Sequence, residues 1–274
     1  MSGLHVWQCS AFGVEFVLAA ESDALLARML KAAPLGSEMC GAGTEIGAGG
    51  GRRFALTRSA GGEGFRLAVD DVVVAEAAEL EAVVEEFARA AMVHVAEGAP
   101  NRVFVHAGVV GWEGRALVLP GTSFAGKTTL VAELVRSGAV YYSDEYAVVD
   151  EHGWVHPYAR ELQMRVPGGV RQTPVAVEDL RGRVGVASLR AAYVAFVEYA
   201  EGGEWAVEHM PAGMAALEMM RHAIPVRRTP GRVMATLAAM MEGAVAVRSV
   251  RGEVGAAAEA LLAAMCANAA EVVA

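Results

Sequence analysis

The residues best suited to chemistry in this chain form one run: Gly121, Thr122, Ser123, Phe124, Ala125, Gly126, Lys127, Thr128 and Thr129. Glycine, four residues, then glycine, lysine and a hydroxyl residue is the spacing of a phosphate-binding loop. Such a turn aims successive backbone N–H groups inward as a nest for phosphate oxygens, and the helix behind it adds the positive end of its dipole. Lys127 would reach the terminal phosphates and Thr128 would bind Mg2+. The only lysines are Lys31 and Lys127, so a chain that otherwise uses arginine has a compact ammonium where a phosphate site needs one.

A phosphate loop has to be carried between a strand and a helix. Arg115 to Pro120 reads as a short buried strand and Leu130 to Val135 as a helix, with Gly138 as its stop. Upstream, Val103 to Val110 predicts a second buried strand, joined to the first through the turn Gly111 to Gly114. His106 is the polar side chain of that strand, and its spacing alone reads as a core histidine. Downstream, Asp144 and Glu145 sit between β-forming segments in the stretch Ala139 to Val149. In a strand the two carboxylates would face opposite sides; in a hairpin turn both would be solvated. Phosphoryl transfer needs a carboxylate near the metal and often one near the attacking hydroxyl, which favours a functional pair. Ala192 to Glu198 is an apolar run ending in an acid, as in a buried parallel strand whose C-terminal end faces a ligand crevice, so Glu198 is a second metal candidate.

The rest of the chain bounds these possibilities. At 274 residues it is long enough for one large or two modest domains, and its Ala- and Val-rich, aromatic-poor composition favours helices on a buried sheet. A net charge of -9 argues against a nucleic-acid partner. Three scattered cysteines, Cys9, Cys40 and Cys266, make neither a disulfide framework nor a metal-ligand pair and point to a reducing compartment. There is no basic n-region and no membrane-length apolar run, so a cytoplasmic protein is expected, with self-association left open.

Two strands are expected over Leu4 to Ala20, a helix over Ser22 to Ala33, a loop over Gly41 to Gly51, and a hairpin from 53–57 and 65–69 with 71–75 beside it. An amphipathic helix carrying Leu80, Val83, Val84, Phe87 and Ala91 ends at Gly98-Ala99-Pro100, where a boundary separates a small α+β domain, 1–100, from a nucleotide domain, 101–274. Farther on, Trp154 to Arg160 and Leu162 to Arg165 read as an extended pair, with His156 and Arg160 either on the substrate side or in a surface loop. Pro167 to Ala187 reads as a long loop. Arg227-Arg228 lies between Pro225 and Pro230, in an expected extended loop that either clamps phosphate or is solvated. Helices over 231–241 and 254–265 flank a short strand at 244–247.

His106-Ala107-Gly108-Val109-Val110, the phosphate loop, and Ser143-Asp144-Glu145 together resemble the C-terminal catalytic domain of bacterial HPr kinase/phosphorylase and its relatives. The resemblance implies an α/β fold similar to that of the phosphoenolpyruvate carboxykinases and distinct in topology from most phosphate-loop proteins. It further implies ATP and Mg2+ as cofactors, with Lys127 on the nucleotide phosphates and Thr128 and Glu145 on the metal. Asp144 would be the general base that takes the proton of a serine hydroxyl, with His106 close enough to tune it. The match covers residues 103–150. The chain departs from the family in having Glu145 where a second aspartate is usual, and Thr128-Thr129 where Ser-Glu is usual. Asp179 to Gly185 is only an echo of the family's Glu-x-Arg-Gly-x-Gly element, which argues against phosphorylase activity. The expectation is an ATP-dependent kinase for a hydroxyl of a protein, peptide or small molecule; the alternative is a nucleotide-binding sensor whose catalysis has lapsed.

Overall fold

The first strands follow from alternating side chains closed by a tight turn. β1 (His5–Ala11) and β2 (Val14–Ala20) pair antiparallel across Phe12-Gly13, both with positive φ, as a two-residue hairpin of this hand requires. α1 (Asp23–Ala32) starts at Ser22, whose Oγ accepts the Leu25 N–H, with Asp23 in its first turn and Lys31 in its last to suit the helix dipole. The computed structural model describes residues 3–43, 51–59, 61–121, 126–165 and 172–273. Two units divide between Asn101 and Arg102.

In the first unit, β3 (Glu38–Gly43) pairs with β1, and β4 (Arg52–Arg58) runs parallel to β2. β5 (Phe65–Val69) and β6 (Val72–Ala77) complete, among the described residues, a six-stranded sheet in the order β3-β1-β2-β4-β5-β6. α2 (Leu80–Gly98) buries Val83, Val84, Phe87 and Ala91. Phe87 meets Phe54 edge-on at 5.4 Å, and Phe54 meets Phe16 at 6.3 Å. The stretch expected as a loop from Gly41 to Gly51 begins inside β3; backbone pairing with β1 overrides the poor strand propensity of glycine, and residues 44–50 lie outside the described ones.

The second unit opens with β7 (Arg102–Trp112) and β8 (Arg115–Pro120), whose turn is Glu113-Gly114; Gly111 and Trp112, expected in the turn, extend β7. α3 (Lys127–Arg136) follows, then β9 (Val140–Ser143), β10 (Tyr146–Asp150), β11 (Trp154–His156), β12 (Leu162–Arg165) and β13 (Gln172–Val175). β14 (Leu189–Tyr199), β15 (Ala206–Met210), α4 (Ala212–Met220), α5 (Pro230–Met241), β16 (Val245–Arg251) and α6 (Val254–Val273) complete it. Among the described residues the main sheet has eight strands in the order β11-β10-β7-β8-β14-β16-β15, with β9 also on β7. Its centre, β8-β14-β16, is parallel, and β7 runs antiparallel to β8.

Period-two alternation assigns each face its helices. On β8, Leu117 and Leu119 pack with Leu130, Leu134, Leu261 and Met265 of α3 and α6; Ala116 and Val118 pack with Met219, Leu237 and Met240 of α4 and α5. Gly108 of β7 lets the phosphate-loop helix approach, since a Cβ there would stand 2.6 Å from Val131 Cγ2. The protein is therefore mixed α/β, and no helix among the described residues is long and apolar enough to cross a membrane.

Three expectations are corrected. Trp154–His156 pairs with β10 and β14, and Leu162–Arg165 with β13, so these two segments are not each other's partners. The segment from Pro167 to Ala187 contains β13 and a 3-10 turn at Glu178–Leu180, while residues 166–171 lie outside the described ones. Arg227 ends a second 3-10 turn, Ile224–Arg227, because the fixed φ of Pro225 suits the first position of a helical turn as well as an extended chain.

Phe87 is fully buried against Phe54 with Val84 buried three residues earlier on the same helix, so Phe87→Ala should cost about 3–5 kcal/mol, read as a lowered urea midpoint.

Candidate functional site

Two consecutive peptide units of β7 anchor the site. The His106 carbonyl accepts the Gly121 N–H (3.1 Å), which fixes the start of the phosphate loop. The His106 N–H donates to the His222 carbonyl (2.9 Å), and the Ala107 N–H donates to the Glu145 carbonyl (3.2 Å). Three chain segments distant in sequence are thus brought to one point of one strand.

β8 ends at Pro120, and Gly126, with φ 77°, is the N-cap of α3. Thr122, Ser123, Phe124 and Ala125, expected as the cradle, lie outside the described residues. Lys127 Nζ donates to the Gly121 carbonyl at 2.9 Å, tying the two ends of the loop together. Burial lowers the pKa of Lys127, and the charges of Asp144 and Glu145 oppose that shift, which puts both carboxylates in electrostatic reach of the ammonium. Thr128 and Thr129 occupy the first turn of α3.

Asp144 and Glu145 are neither in a continuous strand nor in a hairpin turn. β9 and β10 both run antiparallel to β7, with Ser143 opposite Val109 and Tyr146 opposite His106. The two acids bulge out of one interrupted strand. The buried Ser143 hydroxyl stabilises the bulge by accepting the N–H groups of Glu145 (3.1 Å) and Tyr146 (2.9 Å). Tyr141 Oη, from a fully buried side chain, donates to Asp144 Oδ1 at 2.8 Å. Glu145 keeps an open flank to solvent, yet the protein around its carboxylate raises its pKa; Arg160 opposes the shift, Asp144 adds to it, and a Tyr146 hydrogen bond and Lys127 oppose it.

His106 is half-buried, its ring 4.7 Å from that of Tyr146. Burial first, then the charges of Lys127 and His222, hold its pKa below the ordinary histidine value, so it is neutral at physiological pH. His222 is lowered likewise, first by burial. Nothing in the sequence spacing marks His222; only the fold brings it to β7.

Glu198 does not join the acid pair. It lies at the end of β14 and lines a recess with Gly126, Thr129, Tyr199 and Arg251, on the β14–β16 side of the loop. His156 bonds Asp150 at 2.7 Å within the β10–β11 hairpin, whereas Arg160 belongs to the electrostatic surroundings of Glu145. Arg227 and Arg228 are exposed. Among the described residues no three His, Cys, Asp or Glu side chains converge as a metal cage. Arg251 is a further residue that spacing does not reveal. It is only 6% exposed, and its Nη2 reaches the Gly126 carbonyl at 3.4 Å. A side chain at Gly126 would collide with that guanidinium.

In comparisons with known proteins, the chain matches no protein-family model and no curated protein sequence. Its function therefore has to be argued from the site.

The histidines carry a pH signature. Unfolded histidine titrates near 6.5, and in the fold both His106 and His222 take up protons only at lower pH. Below 6.5 the unfolded chain holds more protons, so their contribution to stability declines as pH falls. Glu145 acts the other way, because its penalised ionised form is relieved as pH drops through its raised pKa. His106→Gln should therefore flatten the fall in melting temperature between about pH 7 and pH 5. An unchanged slope would contradict a neutral, desolvated His106.

Proposed function

We propose that this protein is an ATP-dependent phosphotransferase acting on a hydroxyl of a protein, peptide or small molecule, built on a phosphate-loop domain of the HPr kinase-like type. The single observation carrying this reading is that Lys127, Asp144 and Glu145 share one electrostatic environment, held there by the hydrogen bonds of His106 and Ala107. The mixed sheet, with an antiparallel neighbour on the acid side of the loop strand and a parallel one on the other, also supports it over an all-parallel doubly wound fold.

The donor chemistry fits Mg2+. Mg2+ prefers hard oxygen ligands and is bound through one or two carboxylates plus substrate phosphates, which the Thr128 hydroxyl and the Glu145 carboxylate suit. When bound it would neutralise charge on the β- and γ-phosphates. Glu198 lies with the recess and is left out of this set.

Lys127 exchanges the Gly121 carbonyl for phosphate oxygens, with the carboxylates keeping it charged despite burial. Asp144 offers one oxygen to Tyr141, and the other takes the acceptor's proton. As the acceptor oxygen bonds to the γ-phosphorus, the bond from that phosphorus to the bridging oxygen breaks and ADP leaves with the electron pair. Neutral His106 adds no positive charge to the site. Catalysis is then mainly positioning and charge neutralisation.

Calorimetric titration with MgATP should show affinity reduced at least about tenfold in Lys127→Ala. With radiolabelled ATP and a cell extract, phosphate transfer identified by mass spectrometry should fall by about 10²–10⁴-fold in Asp144→Asn, with MgATP binding retained. Nucleotide binding with no transfer by the wild type would favour a sensor; unchanged MgATP affinity in Lys127→Ala would remove the phosphate-loop reading.

A further inference from the structure

The phosphate loop has two flanks, and the acids occupy one of them. On the other, the C-terminal ends of β14 and β16 border an open recess of about 880 Å3 that extends from Gly126 and Thr129 to the first residues of α6. Tyr199 and Arg251 are register partners at those strand ends. The guanidinium of Arg251 lies over the Tyr199 ring, 5.2 Å from its centroid. Tyr199 nevertheless stays 61% exposed.

The walls are held independently of any ligand. The Ala200 N–H donates to the Arg251 carbonyl (3.0 Å) and the Gly203 N–H to the Ala200 carbonyl (3.0 Å). A Cβ on Gly252 would stand 2.5 Å from the Gly203 oxygen, so the loops after β14 and β16 touch through bare backbone. Glu198, Glu201 and Glu253 also line the recess. Carboxylates disfavour phosphate there and accept N–H and O–H groups, while a flat, half-exposed tyrosine offers a stacking surface.

We infer that this recess receives the purine base and ribose of the nucleoside triphosphate whose phosphates lie in the loop, with the base stacked on Tyr199 and the ribose hydroxyls and amino group against the carboxylates. The placement follows from continuity: Gly126 and Thr129, which flank Lys127 at the start of α3, both line the recess, so it opens directly beside the lysine proposed to hold the terminal phosphates. Arg251 joins the two parts, since the same guanidinium supports Tyr199 and holds the Gly126 carbonyl. This inference rests on the phosphate-loop reading above.

Binding of MgATP and of magnesium tripolyphosphate, which lacks base and ribose, separates the two. The wild type should bind MgATP about tenfold or more tightly than tripolyphosphate. Tyr199→Ala should lose about tenfold in MgATP affinity with tripolyphosphate binding unchanged, and Tyr199→Phe should retain the wild-type preference. Tyr199 is largely exposed, so the substitution leaves the core intact. If tripolyphosphate binds and MgATP binds no more tightly, or if Tyr199→Ala keeps full MgATP affinity, the recess is not the base site and the phosphate loop stands. If neither ligand binds the wild type, both readings fall.

Discussion

The site depends on backbone hydrogen bonds made by His106 and Ala107. The His106 N–H and carbonyl lie just past the point where β8 ends beside β7, and the Ala107 N–H lies on the other edge, where β9 gives way to β10. Buried backbone groups must find partners. Here the partners are Gly121, His222 and Glu145, one from the phosphate loop, one from the turn after α4 and one from the acidic bulge. The demand that would ordinarily be met by further sheet partners is met by these three segments. Geometry at the site thus inherits the rigidity of a central strand.

Electrostatics at this point is a balance of unlike costs. Burial opposes charge on Lys127 and on Glu145 alike, and each offsets part of the other's penalty. Arg160 draws Glu145 further toward ionisation, whereas Asp144 beside it acts in reverse. Removing one partner leaves a desolvated charge behind, which costs more than the net worth of the pair. The coupling keeps the ammonium of Lys127 charged: without the two acids a half-buried ammonium would shed its proton more readily.

Much of the framework is legible in the chain because burial imposes a period. The strands at β1, β2, β7, β8 and β14 and the helices α1, α2 and α5 follow from spaced apolar residues, and Ser22 and Gly138 punctuate them as expected. Where no face is buried no period forms: β15 is exposed along most of its length and cannot be read from Ala206 to Met210 alone. β3 contains Gly41 and Gly43 and exists because β1 supplies hydrogen-bond partners, a tertiary fact invisible to propensity. At the site, the loop and the acid pair are marked by residue type and order. His222 and Arg251 are not, since each acts through a contact made across a long separation in sequence. Glu198 illustrates the converse limit, because the end of a strand is readable but the flank of the loop that it serves is not.

The pairing of β7 also sets an order of assembly. β8, β9 and β10 all join β7 from within residues 102–150, so the loop strand and the acidic bulge have all their partners once that stretch of chain is made. The other flank of the loop waits for Ala191 of β14 to find Ala116 of β8, and then for β16 to find β14. On a ribosome that delivers the chain from its N-terminus, the half of the site with the acidic bulge precedes the recess side. Arg251, near the end of the last strand, is the residue that joins the late half to the early one.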